Sequence, residues 1–396
     1  MNALTPTQAA VLSELVYSTR RSLDIPVRFR DAGLKVTTKA RRLHTSILKG
    51  ETGYGIVKKK NAFGMSALIE RNNGRRELVL VFRGTFFTSA HDLLTNVDTG
   101  VRTGKTGKRI HIGFAGVLDS LICELNRVIP QSGALFDIHI MGHSLGGAVA
   151  TLVADWVRTN TAHNAQLYTF GAPRVGFESF AKQFTERLSA QYQHRVFHET
   201  DAIPTTPVFP FTHAPSPGVG YELSSKELGL FDAHRMTEYI ESVANQSWKQ
   251  LDRRLPSFTR ETILQKWIIE TKPFVLADAI GISKISQTIA MLIAKKVDGH
   301  FVEANIWAGS GSTIADSLAR LFHEGVTKES LLDEGPKLFF LFLAKLARSL
   351  GMRIKGKIVE KLEEMTLQTI RQIFNALMLK VRMIVDKALS HMQTQF

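Results

Sequence analysis

Three glycines and a serine stand between two apolar runs. Leu135 to Met141 (LFDIHIM) is followed by Gly142-His143-Ser144-Leu145-Gly146-Gly147, and the chain then runs apolar to about Arg158. The first run is short and β-rich, and the second is long enough for a helix. A strand that enters a helix through a tight glycine turn is the unit of a parallel sheet, and the flanking segments repeat it. Glu77 to Arg83 (ELVLVFR) reads as a strand ending at Gly84. Phe114 to Ile129 has apolar residues at helical spacing and stops at Pro130. Gln166 to Phe170 and His194 to His198 read as further strands, with a helix between them around Phe177 to Ala190. From about Glu77 to His234 this order predicts an α/β fold of right-handed crossovers, its mostly parallel central sheet covered on both faces. Beyond about residue 246 helical periodicity takes over. The expected division is an α/β domain over 1–245, including a helical, basic N-terminal segment, and a mainly helical, basic region over 246–396.

Composition narrows the alternatives. No stretch of about 18 apolar residues is present, so a spanning helix is not expected. The first residues lack the long apolar segment of a cleaved secretory signal, which predicts a cytoplasmic protein or export by a non-classical route. The single cysteine, Cys123, excludes an intramolecular disulfide, and its apolar surroundings predict a small buried side chain. The net charge of +14 is concentrated at the ends: residues 1 to 60 hold 12 Lys and Arg against 4 Asp and Glu, and residues 335 to 396 hold 11 against 4. Basic ends suit an anionic lipid surface, nucleic acid or an acidic protein. A nucleic-acid reader is disfavoured, because no recognition helix, zinc spacing or aromatic sheet motif accompanies the charge. No phosphate loop or metal cluster implies a cofactor.

Gly142-His143-Ser144-Leu145-Gly146 fits G-x-S-x-G in the strand-to-helix context that such a motif requires. The sharp turn lifts the serine oxygen above the sheet, and the helix behind it offers free N–H groups to a developing negative charge. A serine hydroxyl needs a base, and the base needs an orienting carboxylate, in the chain order serine, acid, histidine. Among the acids after Ser144, Asp155 and Glu178 fall in helices. Asp201 lies just past a strand end and is the preferred choice, with Glu199 as fallback. Among the histidines, His234 at a helix entrance is preferred to His213, which lies among prolines. Asp232 is expected to cap that helix. The oxyanion donors would be the backbone N–H of Leu145 and that of Thr85, after the Glu77 strand.

These residues carry a resemblance. Val81-Phe82-Arg83-Gly84-Thr85, Asp92 to Asn96, His111-Ile112-Gly113-Phe114, Gly142 to Ala148, Phe170 to Gly176, Asp201-Ala202-Ile203-Pro204 and His234 occur in the order seen in the class 3 lipases, a group that includes fungal triacylglycerol lipases. The chain resembles that family over roughly residues 75 to 240. The resemblance implies an α/β-hydrolase fold, a triad of Ser144, Asp201 and His234, and Thr85 and Leu145 as oxyanion donors. It also implies a lid after Thr85 that presents Phe86, Phe87, Leu93 and Leu94 to lipid. The interval from Asp201 to His234 is shorter than in the fungal enzymes, whose disulfides this chain also lacks. The N-terminal Leu4 to Ala10 looks more like bacterial class 3 proteins, some of which are phospholipase toxins injected by type VI secretion and met by an immunity or inhibitor protein.

The expected activity is hydrolysis of lipid carboxylic esters through an acyl-serine, phospholipase A on an anionic membrane being favoured by the basic ends. Alternatives are an esterase on soluble or aromatic esters, and a membrane-active or partner-binding tail for which the lipase half is a scaffold. In that tail Phe339, Leu343, Leu346 and Leu350 fall on one stripe, opposite Lys337, Arg348 and Lys355. Packing of the stripe against the catalytic half is favoured over membrane contact.

Overall fold

The computed structural model describes residues 2–19, 21–36, 45–52, 59–84, 101–104, 106–130, 137–225, 227–229, 232–256, 260–296, 313–327, 334–352 and 365–393. Two short helices, α1 (Pro6–Leu15) and α2 (Ile25–Asp31), precede an antiparallel meander of β1 (Thr45–Thr52), β2 (Lys59–Glu70) and β3 (Arg76–Phe82). Short strands β4 (Val101–Thr103) and β5 (Arg109–His111) lead into α3 (Ile112–Val128). Then come β6 (Asp137–His143), α4 (Leu145–Asn160), β7 (Asn164–Phe170), β8 (Gly176–Phe177), α5 (Glu178–Leu188) and β9 (Gln193–His198). The α/β part closes with β10 (Phe211–Thr212), β11 (Gly220–Leu223), α6 (Met236–Val243) and β12 (Arg253–Arg254). The remaining described elements are helical: α7 (Glu261–Ile269), α8 (Ala279–Lys296), α9 (Ile314–Thr327), α10 (Glu334–Ser349) and α11 (Leu367–Gln393).

Eight strands form the main sheet in the order β1-β2-β3-β6-β7-β9-β11-β12. The five strands from β3 to β11 are parallel, and antiparallel neighbours flank them at both ends. This is the mostly parallel sheet that the sequence predicts, arranged as an α/β-hydrolase fold. The β1–β2 meander is an addition to the predicted elements. A smaller sheet, β10-β8-β5-β4, lies beside it.

Side-chain alternation on β3 assigns the two faces. Leu78, Leu80 and Phe82 join the core formed with α3, α4 and the tail helices, whereas Val79 and Val81 join the core under α1, α2 and α6. The tail helices thus share one continuous core with the sheet. Phe339, Leu343 and Leu346 are buried in that core and Leu350 packs against it, while Lys337 and Arg348 remain exposed. Lys345 is buried with its stripe. Its ammonium donates to the carbonyls of Trp267 and, at 2.8 Å, Glu270, at the end of α7, and it lies 4.6 Å from the Phe274 ring centroid. A cation closing a helix C-terminus satisfies the final carbonyls there.

Two expectations are corrected. Cys123 is exposed, because the buried positions of α3 include Leu121 and Leu125, and a residue two places after Leu121 points to the opposite side of a 3.6-residue helix. Asp232 does not cap α6. It starts a single turn, Asp232–His234, and the N-cap position of α6 is Arg235.

Candidate active site

Ser144 just after β6, Asp201 just after β9 and His234 in the turn ahead of α6 converge. Ser144 follows β6 and holds φ 57° and ψ −131°, a conformation costly for any residue with a Cβ. The close packing of its neighbours enforces that turn. A Cβ on Gly146 would overlap the Phe82 carbonyl of the adjacent strand. Ser144 sits at the N-cap of α4 but makes no side-chain capping bond, so its hydroxyl stays available. The hydroxyl lies 2.9 Å from His234 Nε2. His234 Nδ1 lies 2.7 Å from Asp201 Oδ2, and Asp201 Oδ1 accepts from the Ile203 N–H at 2.9 Å. All three residues are buried, Ser144 at 3% exposure. Gly171, at φ +56°, lets the β7 end pass beside them, since a Cβ there would stand 2.7 Å from Asp201 Oδ2 and 3.0 Å from His234 Nδ1.

The other sequence candidates separate from this cluster. Asp155 of α4 pairs with Arg187 of α5 and is pushed up to about 6 by burial, and Glu178 pairs with Lys182 on α5. His213 faces the Pro204 carbonyl at 2.6 Å. Glu199, two residues from Asp201, accepts weakly from the Ser225 N–H at 3.5 Å. Leu145 opens α4, so its N–H has no partner within the helix and remains free to serve an oxyanion. Thr85, Phe86, Phe87, Leu93 and Leu94 lie outside the described residues.

Three residues support the triad in roles that the sequence does not announce. Tyr239 of α6 donates its hydroxyl to Asp201 Oδ2 at 2.7 Å and accepts the His198 backbone N–H at 3.1 Å. The same carboxylate oxygen therefore meets both Tyr239 and the triad histidine. His143, the residue before the nucleophile, is buried, and desolvation holds its imidazole well below the usual range. A neutral ring has one N–H, and Nε2 must carry it to reach the His234 carbonyl at 2.8 Å. Nδ1 then accepts from Tyr17, whose hydroxyl oxygen in turn accepts the Gly84 N–H at 2.9 Å. A chain of hydrogen bonds thus runs from the N-terminal segment through the elbow to the backbone of His234.

Residues 79–211 match the family described as Lipase (class 3), a segment that holds Ser144 and Asp201 and ends before His234. The chain is 32% identical over 157 residues to a secreted mono- and diacylglycerol lipase of Fusarium solani, covering 38% of this chain and 46% of the relative. It is 29% identical over 130 residues to a chloroplastic phospholipase A(1) of Arabidopsis thaliana, covering 28% of this chain and 29% of the relative. The chain thus spans less than half the length of these curated relatives. Among solved structures it is similar to the Rhizomucor miehei triacylglyceride lipase, with a TM-score of 0.40 at 22% identity over 56% of this chain and 80% of that one.

Proposed function

We propose that this chain hydrolyses carboxylic esters of lipids through an acyl-serine intermediate on Ser144. The observation that carries this reading is the relay from Ser144 to His234 to Asp201, at 2.9 and 2.7 Å, mounted on a strained strand-to-helix elbow. Ser144 Oγ attacks the ester carbonyl carbon as His234 Nε2 takes its proton. Asp201 holds the imidazole in the tautomer that leaves Nε2 free to accept. The Leu145 N–H donates to the tetrahedral oxyanion. His234 then returns the proton to the leaving alkoxide, and a water molecule repeats the sequence on the acyl-serine. The family match over 79–211 supports this chemistry, and the 2.9 Å contact with Ser144 supports His234, which lies beyond that match, as the base.

A phospholipid is the favoured substrate, supported by the basic ends of the chain and by a relative named as a phospholipase A(1). The test is mass spectrometry of products from mixed-acyl phosphatidylglycerol and phosphatidylethanolamine vesicles and from a diacylglycerol emulsion, using wild type and Ser144→Ala. Lysophospholipid and fatty acid from wild type alone establish phospholipase A activity. Release from diacylglycerol alone moves the substrate to acylglycerols. No product from any lipid, with a short-chain soluble ester also untouched, overturns the proposal.

A further inference from the structure

A cavity of about 230 Å³ lies between the segment that follows Asp201 and the tail helix α8, which contributes Ser283 and Gln287. Two arginines of the α/β part open onto it, Arg174 at 4% exposure and Arg195 at 6%. Arg174 gives Nη1 to the carbonyls of Thr205 at 2.5 Å and Pro207 at 2.8 Å, and to Ser286 Oγ at 3.2 Å. Arg195 gives Nη2 to the Gly218 carbonyl at 2.7 Å and Nε to that of Val219 at 3.4 Å, with its guanidinium 4.1 Å over the Phe197 ring. Among the described residues no carboxylate is within ion-pair distance of either group. Arg174 Nε and Nη2 and Arg195 Nη1 are left without a protein acceptor there. The hydroxyl of Thr212, which also lines the cavity, is buried without a partner.

Isolated charges and hydroxyls are costly to bury, and a native site usually answers them with a counter-charge or an acceptor. None of the carboxylates at this cavity forms an ion pair with either arginine among the described residues, although the Glu222 charge favours the charged form of Arg195. Glu178 pairs with Lys182 at 2.7 Å, Glu222 with Arg254 at 3.3 Å, and Asp201 with His234 at 2.7 Å. Glu199 alone lacks a cation among the described residues, one negative charge against two guanidiniums. Burial lowers Arg174 to about 10 and Arg195 to about 9, which leaves both charged at neutral pH, and His213 is held well below its usual range first by its own burial and then by their positive field.

We propose that this cavity binds a phosphate-type oxyanion, coordinated by Arg174, Arg195 and the Thr212 hydroxyl. Arginine forks suit phosphate oxygens, and a third donor from a different direction suits a tetrahedral anion better than a planar carboxylate. The free ion and the phosphodiester of a lipid headgroup share this chemistry. The occupant would bridge the segment after Asp201 to the tail, because Arg174 already ties Thr205 and Pro207 to Ser286 of α8. The triad carboxylate Asp201 also lines this cavity, and binding there is testable on a chain that cannot hydrolyse esters.

The experiment uses the full chain carrying Ser144→Ala, so that no lipid is consumed. Thermal unfolding and calorimetric titration are run with inorganic phosphate against sodium chloride of equal ionic strength, and separately with a short-chain phosphatidylglycerol below its micellar concentration. The expected result is saturable binding and a rise in midpoint with at least one of the two. Arg195→Gln should weaken binding by at least tenfold and Thr212→Val severalfold. Thr212→Val nearly preserves side-chain volume and guards against misfolding in the arginine variant. Binding of phosphate identifies the free ion as sufficient, and binding of the lipid alone identifies the headgroup as the source. No rise above the chloride control with either probe, or a rise that both variants retain in full, overturns the proposal.

Discussion

Two chains of carboxylate, imidazole and hydroxyl are buried in the α/β part, one beyond the carboxyl ends of β6 and β9 and the other across β3, β6 and β7. At the carboxyl ends stand Asp201, His234 and Ser144. Within the strands Glu77 of β3 meets His139 Nε2 of β6 at 2.9 Å, and His139 Nδ1 meets the Tyr168 hydroxyl of β7 at 3.0 Å. The chemistry nevertheless differs. Tyr168 lies on a regular strand, its hydroxyl is also taken up by Gln166 Oε1 at 2.6 Å and the Leu4 N–H at 2.9 Å, and burial pushes its acidity further out of reach. Ser144 sits on a strained turn ahead of a helix whose first N–H groups are unclaimed. The contrast teaches that a relay of three groups is not a nucleophile by itself. Backbone placement at a strand end and adjacent oxyanion donors make the difference.

The sharpest way to break this comparison is to remove one hydroxyl from the active relay. Ser144→Ala should lower ester turnover by about 10⁴-fold or more while leaving the unfolding midpoint nearly unchanged, because triad members act as a unit. His139→Ala in the other relay should do the reverse. It removes one partner each from the buried Glu77, which keeps Arg71, and Tyr168, which keeps Gln166 and Leu4, and it leaves a cavity, so equilibrium unfolding should show a loss of about 3 kcal/mol, with turnover per folded molecule retained.

Acidification probes both relays together. Burial lowers His111 to about 4 and His194, stacked on Tyr168, to about 3. A histidine whose folded value is depressed contributes stability present above about 6.5 and lost as pH falls toward that folded value. Each should therefore cost about 2 kcal/mol between pH 7 and 5. His143, His198 and His213 shift in the same direction. Glu14, pushed up to about 7, and Asp155, at about 6, work the other way, gaining stability as pH falls through those values. The urea midpoint should fall from pH 7 to 5, and a rise would refute the dominance of the buried imidazoles.

Smaller effects sharpen the contrast. Tyr239→Phe removes a hydrogen bond to a charged carboxylate, so kcat should drop about tenfold with KM held, and equal losses in a scaffold-only measure such as the midpoint would count against a positioning role. Cys123→Ser on the exposed side of α3 should change stability by less than about 0.5 kcal/mol and leave turnover intact.

The parallel strands and the elbow were legible in the sequence because each is local. Residues 137–147 contain the strand, the turn and the helix start in one run. The triad required the chain-order rule, since Asp201 is fixed by where β9 ends and His234 by the turn ahead of α6 rather than by their neighbours in sequence. Tyr17 and Tyr239 left no local signal: an aromatic on an amphipathic helix looks the same whether its hydroxyl meets water or a buried carboxylate. The strand β2 escaped because its Asn, Gly and Ser interrupt apolar alternation, although Gly64 allows the close approach of the Val81 carbonyl on β3. Cys123 was misplaced by reading an apolar run as uniformly buried instead of following its helical period.

The seat of the first helix is assembled from distant chain. Thr7 donates to the Val243 carbonyl, Trp248 Nε1 to that of Leu4, and the Leu4 N–H to Tyr168. During synthesis α1 leaves the ribosome with most of these partners still unmade, some 240 residues downstream. Its docking is therefore among the late closures of folding, and it is that docking which carries Tyr17 to His143 and Gly84. A nascent chain can complete its central sheet and still hold an unbraced nucleophile, so the bracing of the site arrives only with the far end of the α/β part.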